Sequence, residues 1–541
     1  MKKSTVGRIS GTVLAIATLI SAGIVSGLPQ ASAAPEELAA QTQSRDVHWK
    51  KCADAIDGYP NSELQCASIK VPLDYNRPGG RKISVKISRV KAANPQMRRG
   101  VIFLNPGGPG GPGVALPQLF AMVMSPTVTE HYDLIGFDPR GVGESTPVSC
   151  GLNPDDAAKA MVPQGQPGGF SATSAFMEKV AKSCQRTSGD LMPYMTTANT
   201  ARDMDQIRQA LGVSKISYLG YSYGTYLGAV YASKYPNRTD RFVLDSSVSP
   251  DWAWRDQFRA WRMADRDRFP DFANYLIANE NEFHMGKTDQ EVSNNFTRLV
   301  NKFNTTPLVF EDGTVFTGES FRLLTFGGLY NDGNFPELGF IWQYADSIET
   351  PSAASAKTAL KKSMESLAGE AETASDNSAA SALAVLCGDA QWGHDPAQYQ
   401  AELTADTTIA PKFGPVGSNI WPCAFWQTAP KEPLTTISST GPRNILMIQN
   451  TRDPATPYSG AQEMRNRLGQ RVQFVTVDQG GHAAAYLAAN QCATDAVDAY
   501  FAGGALAKHD TTCAIQHSLR AASTSTTGKD AVLRTLRQRI R

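Results

Sequence analysis

The pentapeptide Gly220-Tyr221-Ser222-Tyr223-Gly224 constrains this chain more than any other stretch of it. The apolar run 216–219 enters it, and a run of mostly small residues, 225–235, leaves it. The first reads as a buried strand and the second as a helix. Two glycines around the serine permit a sharp strand-to-helix turn that holds a hydroxyl exposed in a strained conformation. No other G-x-S-x-G occurs in the chain.

Other segments extend the same alternation. Residues 83–91 alternate apolar and polar, as a half-buried strand does. Short apolar runs at 101–104, 132–137 and 241–244 read as strands buried on both faces, the mark of a parallel sheet. Residues 203–211 have helical spacing and stop at Gly212. After Pro250 the pattern turns helical until about residue 435, with 350–383 reading as helix plus surface linker. Strand signals return at 444–448 and 472–477, and a last helix is expected at 494–501. Alternating strands and helices imply an α/β fold. The expectation is a mostly parallel central sheet, with a largely helical cap inserted before the last two strand–helix units. The corresponding divisions are 46–250 and 436–541 for the core and 251–435 for the cap.

A chain of 541 residues has room for such a core and cap. A formal net charge of +1 gives no electrostatic reason to expect nucleic acid. Lys2, Lys3 and Arg8 precede an apolar stretch, and Ala31-Ser32-Ala33 then has the small-x-small pattern of a signal-peptidase site. Residues 1–33 therefore read as a secretion leader rather than a membrane anchor, and 34–45 as a possible pro-segment. A secreted protein with no stable membrane association is expected. Eight cysteines follow the leader, an even number that suggests disulfides in an exported protein. The simplest pairing joins sequence neighbours: Cys52–Cys66, Cys150–Cys184, Cys387–Cys423 and Cys492–Cys513. Neither a CxxC pair nor HExxH occurs, so no metal is expected.

A serine hydroxyl becomes a nucleophile when a base takes its proton. Five histidines follow Ser222: His284 and His394 in the cap segment, His509 and His517 near the last cysteine loop, and His482. His482 follows strand 472–477 through Gly480-Gly481, where a base is expected. Asp453 follows strand 444–448 and is placed to hold the imidazole, with Asp245 as the second choice. Developing oxyanion charge needs N–H donors. The backbone of Tyr223 supplies one, and the glycine-rich loop 105–113 the other, at Gly108 or, as alternative, Gly107. The absence of G-x-x-x-x-G-K-[ST] argues against nucleotides, and no cofactor is expected.

Five segments together resemble a known family: Asn105-Pro106-Gly107-Gly108-Pro109-Gly110-Gly111, residues 137–145 (FDPRGVGES), 220–224, 451–457 (TRDPATP) and Gly480-Gly481-His482. They are similar to the secreted bacterial tripeptidyl aminopeptidases, α/β-hydrolases related to prolyl aminopeptidases. The resemblance spans about residues 48–515. It implies an α/β-hydrolase fold and a triad of Ser222, Asp453 and His482. It also implies an enzyme that releases tripeptides from the free N-terminus of peptides; a monomer is expected. A prolyl-type aminopeptidase or an esterase with the same triad is the alternative. A free N-terminus needs a carboxylate near its ammonium, and Glu280, Glu282 and Asp389 are candidates by position. Trp392, Trp421, Phe425 and Trp426 read as core before pocket wall.

Overall fold

The computed structural model describes residues 47–53, 64–162, 165, 168–348, 354–368, 375–487, 490–515 and 528–539. The leader, the segment 34–45 and His517 lie outside them. Among the described residues a ten-stranded sheet is formed by β1 (Lys50–Lys51), β2 (Gln65–Pro72), β3 (Lys82–Val90), β4 (Gly100–Asn105), β5 (Tyr132–Phe137), β6 (Ile216–Tyr221), β7 (Thr239–Asp245), β8 (Ile445–Arg452), β9 (Val472–Gly480) and β10 (Thr511–Cys513). Their spatial order is β1-β2-β3-β5-β4-β6-β7-β8-β9-β10. The first strands pair antiparallel as far as β5, and every pair from β5 to β10 is parallel.

The parallel strands lack a polar face because both faces are covered. Val101 and Phe103 of β4 enter one core and Ile102 and Leu104 the other. Ile445 and Met447 of β8 divide from Leu446 and Ile448 in the same way. Between β7 and β8 the chain is largely helical, apart from the ribbon Leu308–Val309 with Val315–Phe316. The aromatic core of this cap, with Phe269, Phe296, Trp342 and Phe413, continues the core on one sheet face. Trp392 and Trp421 are buried in it, Trp421 stacking on Phe258 at 4.2 Å between ring centroids.

Four parts of the architecture extend the sequence reading. The antiparallel partner β2 and the short β10 are additional strands. Helix Gly169–Ser188 is additional too, and helix Thr197–Ala210 begins earlier than the 203–211 periodicity. The cysteines pair as sequence neighbours: Cys52–Cys66, Cys150–Cys184, Cys387–Cys423 and Cys492–Cys513.

The motif around Arg140 braces the sheet beneath the glycine-rich loop. The Arg140 guanidinium is fully buried and holds Asp203 through Nε at 2.7 Å and Nη2 at 2.6 Å. Its remaining N–H groups reach the carbonyls of Pro72, Leu73 and Tyr194. Two residues earlier, the buried Asp138 accepts the N–H groups of Gly113, Val114 and Glu144. It thereby anchors the far end of loop 105–113. Burial raises the Asp138 carboxyl above its usual range against these three donors.

Candidate active site

Ser222 stands between β6 and helix Tyr223–Lys234, with φ 54° and ψ −127°. Such a backbone is strained for a residue with a Cβ, by about 1–3 kcal/mol, and persists where its surroundings over-determine it. The surroundings here are specific. The Ser222 N–H donates to the Asp245 carbonyl at 3.1 Å, and its own carbonyl accepts from the Thr225 N–H at 2.9 Å. Loop 105–113 presses on the turn from the other side. A Cβ on Gly107, whose φ is +98°, would lie 2.6 Å from the Tyr221 carbonyl and 2.9 Å from the Ser222 Cβ. Glycine alone permits that approach. The Gly107 N–H is already given to Asn105 Oδ1 at 3.1 Å, and the next residue, Gly108, is exposed.

Asp453 and His482 meet at the ends of β8 and β9. His482 Nδ1 lies 2.9 Å from Asp453 Oδ2 and 3.0 Å from Oδ1, and both side chains are buried. A carboxylate only accepts, so Nδ1 carries the proton and Nε2 is left as the basic nitrogen. Nε2 is buried without a hydrogen-bond partner among the described residues. Asp453 is itself held by the backbone N–H groups of Ala455 and Thr456 and the Thr456 hydroxyl, each at 2.9 Å. Thr456 Oγ1 also lies 3.4 Å from His482 Nδ1, which makes it a neighbour that the sequence reading passed over. Its signal was available in Asp453-Pro454-Ala455-Thr456, where a hydroxyl three residues on can turn back to the carboxylate.

Asp245 serves a different purpose from Asp453. Its oxygens accept the Ala484 and Ala485 N–H groups at 2.9 and 2.7 Å, and the Ser246 hydroxyl at 3.0 Å. Ser246 Oγ accepts from the Ala483 N–H at 2.8 Å. The serine turn and the loop after His482 therefore meet at Asp245–Ser246. Burial pushes the Asp245 carboxyl up to about 6, opposed by the two backbone donors.

The cap reaches the imidazole through Tyr330. Its carbonyl accepts the His482 N–H at 2.8 Å, and its ring packs edge-on to the imidazole at 5.2 Å. The three carboxylates suggested for an ammonium sit on two cap helices. Glu280 and Glu282 occupy the short helix Glu280–Phe283, half-buried and exposed respectively, which packs on helices Phe269–Ala278 and Phe335–Ser347. Asp389 is buried and accepts from the Thr197 N–H at 2.8 Å and from the Thr197 hydroxyl. Burial pushes its carboxyl up to about 7 against those two donors. Among the remaining histidines, His394 Nδ1 pairs with the Ala424 carbonyl at 2.8 Å, and His509 is exposed.

Fold and site define a hydrolase of the α/β class, in which a strained serine turn precedes acid and histidine in chain order. The chain matches the α/β-hydrolase-fold family over residues 100–489. It is 34% identical over 493 residues to a tripeptidyl aminopeptidase of Streptomyces coelicolor, covering 88% of this chain and 87% of that protein. It is 28% identical over 481 residues to the serine protease Hip1 of Mycobacterium tuberculosis, covering 85% and 89%. It is also 28% identical over 527 residues to a carboxylesterase B of that organism, covering 94% and 98%. The chain belongs to the tripeptidyl aminopeptidase family of α/β-hydrolases, and it is an enzyme.

Proposed function

We propose that this protein is a secreted serine exopeptidase that releases tripeptides from the free N-terminus of peptides through an acyl-enzyme. The observation that carries the chemistry is the buried Asp453–His482 pair, with Nε2 unpartnered among the described residues, in a loop joined to the strained Ser222 turn through Asp245–Ser246. Ser222 Oγ attacks the scissile carbonyl while His482 Nε2 takes its proton. His482 then protonates the leaving amine, and Asp453 stabilises the imidazolium between the two steps. The N–H groups of Tyr223 and Gly108 hold the oxyanion. Water attacks the acyl-enzyme through the same base and frees the N-terminal fragment.

The similarity to the Streptomyces coelicolor protein supports release of tripeptides. The paired cysteines and the leader pattern of residues 1–33 support export. No helix of the described residues is long and apolar enough to cross a membrane. Glu280 and Glu282 are offered for the substrate ammonium by position. Replacement of the one that serves by Gln should raise KM for free, but not N-acetylated, peptides. The similarity to carboxylesterase B over 98% of that protein favours a second reading, an esterase using the same triad.

Three chromogenic substrates with one leaving group decide between them: an aminoacyl, a free tripeptidyl and an N-acetyl-tripeptidyl derivative. The proposal expects cleavage of the free tripeptidyl substrate alone, with Ser222→Ala losing about 10⁶-fold in kcat, as loss of a triad serine does. Equal cleavage of the acetylated form would remove the exopeptidase claim. Ester turnover without peptide turnover would leave the second reading.

A further inference from the structure

We propose that Asp389 is a positioning residue of the oxyanion site, acting through Thr197 on Tyr223; this rests on Ser222 and the Tyr223 N–H working as described above. Asp389 ends the cap helix Asp376–Asp389, and Thr197 opens helix Thr197–Ala210, which packs on the helix that Tyr223 begins. Tyr223 Oη lies 2.7 Å from Thr197 Oγ1. The hydrogen-bond sense follows from chemistry. The Thr197 hydroxyl donates to Asp389, so its single proton is used there and the Tyr223 hydroxyl donates to Thr197. The Tyr223 ring is further wedged against Trp254, with centroids 5.6 Å apart. A side chain fixed at both hydroxyl and ring leaves its own backbone N–H little freedom, and that N–H is the oxyanion donor.

The same cap helix touches the other half of the oxyanion site. A Cβ on Gly110, whose φ is +94°, would lie 2.8 Å from the Ser378 carbonyl and 3.0 Å from the Ala382 nitrogen. The Asn377 amide bridges the Gly141 and Val148 carbonyls, both at 2.8 Å. Near its far end the helix is tied to the turn Pro422–Phe425 through Cys387–Cys423. One element thus borders the glycine-rich loop at one end and reaches Tyr223 through Thr197 at the other. Both oxygens of Asp389 are engaged by Thr197, so the residue holds the donor rather than the substrate ammonium.

The test uses Asp389→Asn, Thr197→Val and Thr197→Ser, assayed on the free tripeptidyl substrate and on p-nitrophenyl acetate. Either substrate builds an oxyanion when Ser222 Oγ adds to its carbonyl and His482 takes the proton. An asparagine offers an N–H where Thr197 needs an acceptor, and a valine removes the link. In both variants kcat should fall by about 10- to 100-fold, short of the loss of an oxyanion donor, with KM within about threefold. Thr197→Ser should restore it. Affinity for a tripeptidyl trifluoromethyl ketone, whose hemiketal carries the oxyanion, should fall in step with kcat/KM. Three results overturn the proposal: unchanged kcat in both variants, Thr197→Val equal to Thr197→Ser, or a raised KM with kcat kept and the preference for a free amine lost. The last would make Asp389 an ammonium ligand. If Asp389→Asn does not fold, the Val and Ser pair at Thr197 decides. Failure of the underlying reading looks different, because Ser222→Ala would then retain acetate hydrolysis.

Discussion

Ser222, Asp453 and His482 stand at or just beyond the ends of β6, β8 and β9, whereas Tyr330 and Asp389 reach the same region from the cap. The first group is set by the sheet. Parallel neighbouring strands fix where each loop begins, and backbone bonds such as Ser222 N–H to the Asp245 carbonyl fix where it goes. The second group depends on single side chains that cross between layers: a tyrosine ring on an imidazole, a carboxylate on a threonine. On the function proposed above, the sheet supplies the reacting groups and the cap tunes their placement. Changes on the sheet side should then abolish chemistry or folding, while changes on the cap side should produce graded losses.

The largest effect expected is at Asp453. Asp453→Asn keeps the shape of the side chain but presents an N–H to His482 Nδ1, which favours the wrong tautomer. A fall of about 10⁴-fold in kcat is expected from steady-state kinetics at neutral pH. A loss of only tenfold would place Asp453 with the tuning residues and break the comparison. Next comes the scaffold beneath. Arg140→Met leaves Asp203 buried without its guanidinium, which should destabilise the fold by about 3–5 kcal/mol. Denaturant titration measures it, and the folded fraction should keep most of its kcat.

Much of the sheet side is legible in the sequence. Residues 132–137 form β5 as read, and 101–104 and 216–219 extend by one or two residues into β4 and β6. Apolar runs bounded by glycine and proline carry that signal because both sheet faces are covered. The disulfides were legible for a local reason, since neighbours in sequence lie close in space. Strand β2 was not, because its Gln-Cys-Ala-Ser-Ile-Lys-Val-Pro sequence mixes small and polar residues until β3 is beside it. The part played by Asp389 was not legible either. It bonds the first turn of a helix 192 positions away, and no local pattern encodes a carboxylate that serves a distant helix. The glycine-rich loop is read from sequence as the source of a second oxyanion donor; its contact with the serine turn, which falls on Gly107 with Gly108 exposed beside it, is a finding of the structure.

On the cap side, Tyr330→Ala keeps the carbonyl that accepts from His482 and removes the ring. Edge-on aromatic pairs are worth about 0.5–1.5 kcal/mol, so kcat/KM should fall by about tenfold at most. A loss approaching that of Asp453→Asn would show that the cap carries chemistry, and the two regions would then have to be treated as one.

The smallest effect concerns Asp245, the carboxylate that joins the two sheet-borne loops. Burial pushes its folded value to about 6, above the ordinary 3.8. For an acid, a raised folded value means the folded state binds the proton more tightly than the unfolded chain does. Stability is therefore fully retained below about 4 and is lost as pH rises through the folded value. Between pH 5 and 7.5 the remaining part of this loss is about 1 kcal/mol. Asp245→Asn does not titrate, so its stability relative to the native protein should rise by that amount over the same interval. Any constant penalty from facing an amide N–H toward Ala484 or Ala485 cancels in the difference. Denaturant midpoints of both proteins at the two pH values measure it. A difference that does not change with pH would mean Asp245 stays ionised across the interval. The junction between the serine turn and the histidine loop would then be a charged clamp rather than a partly neutral one.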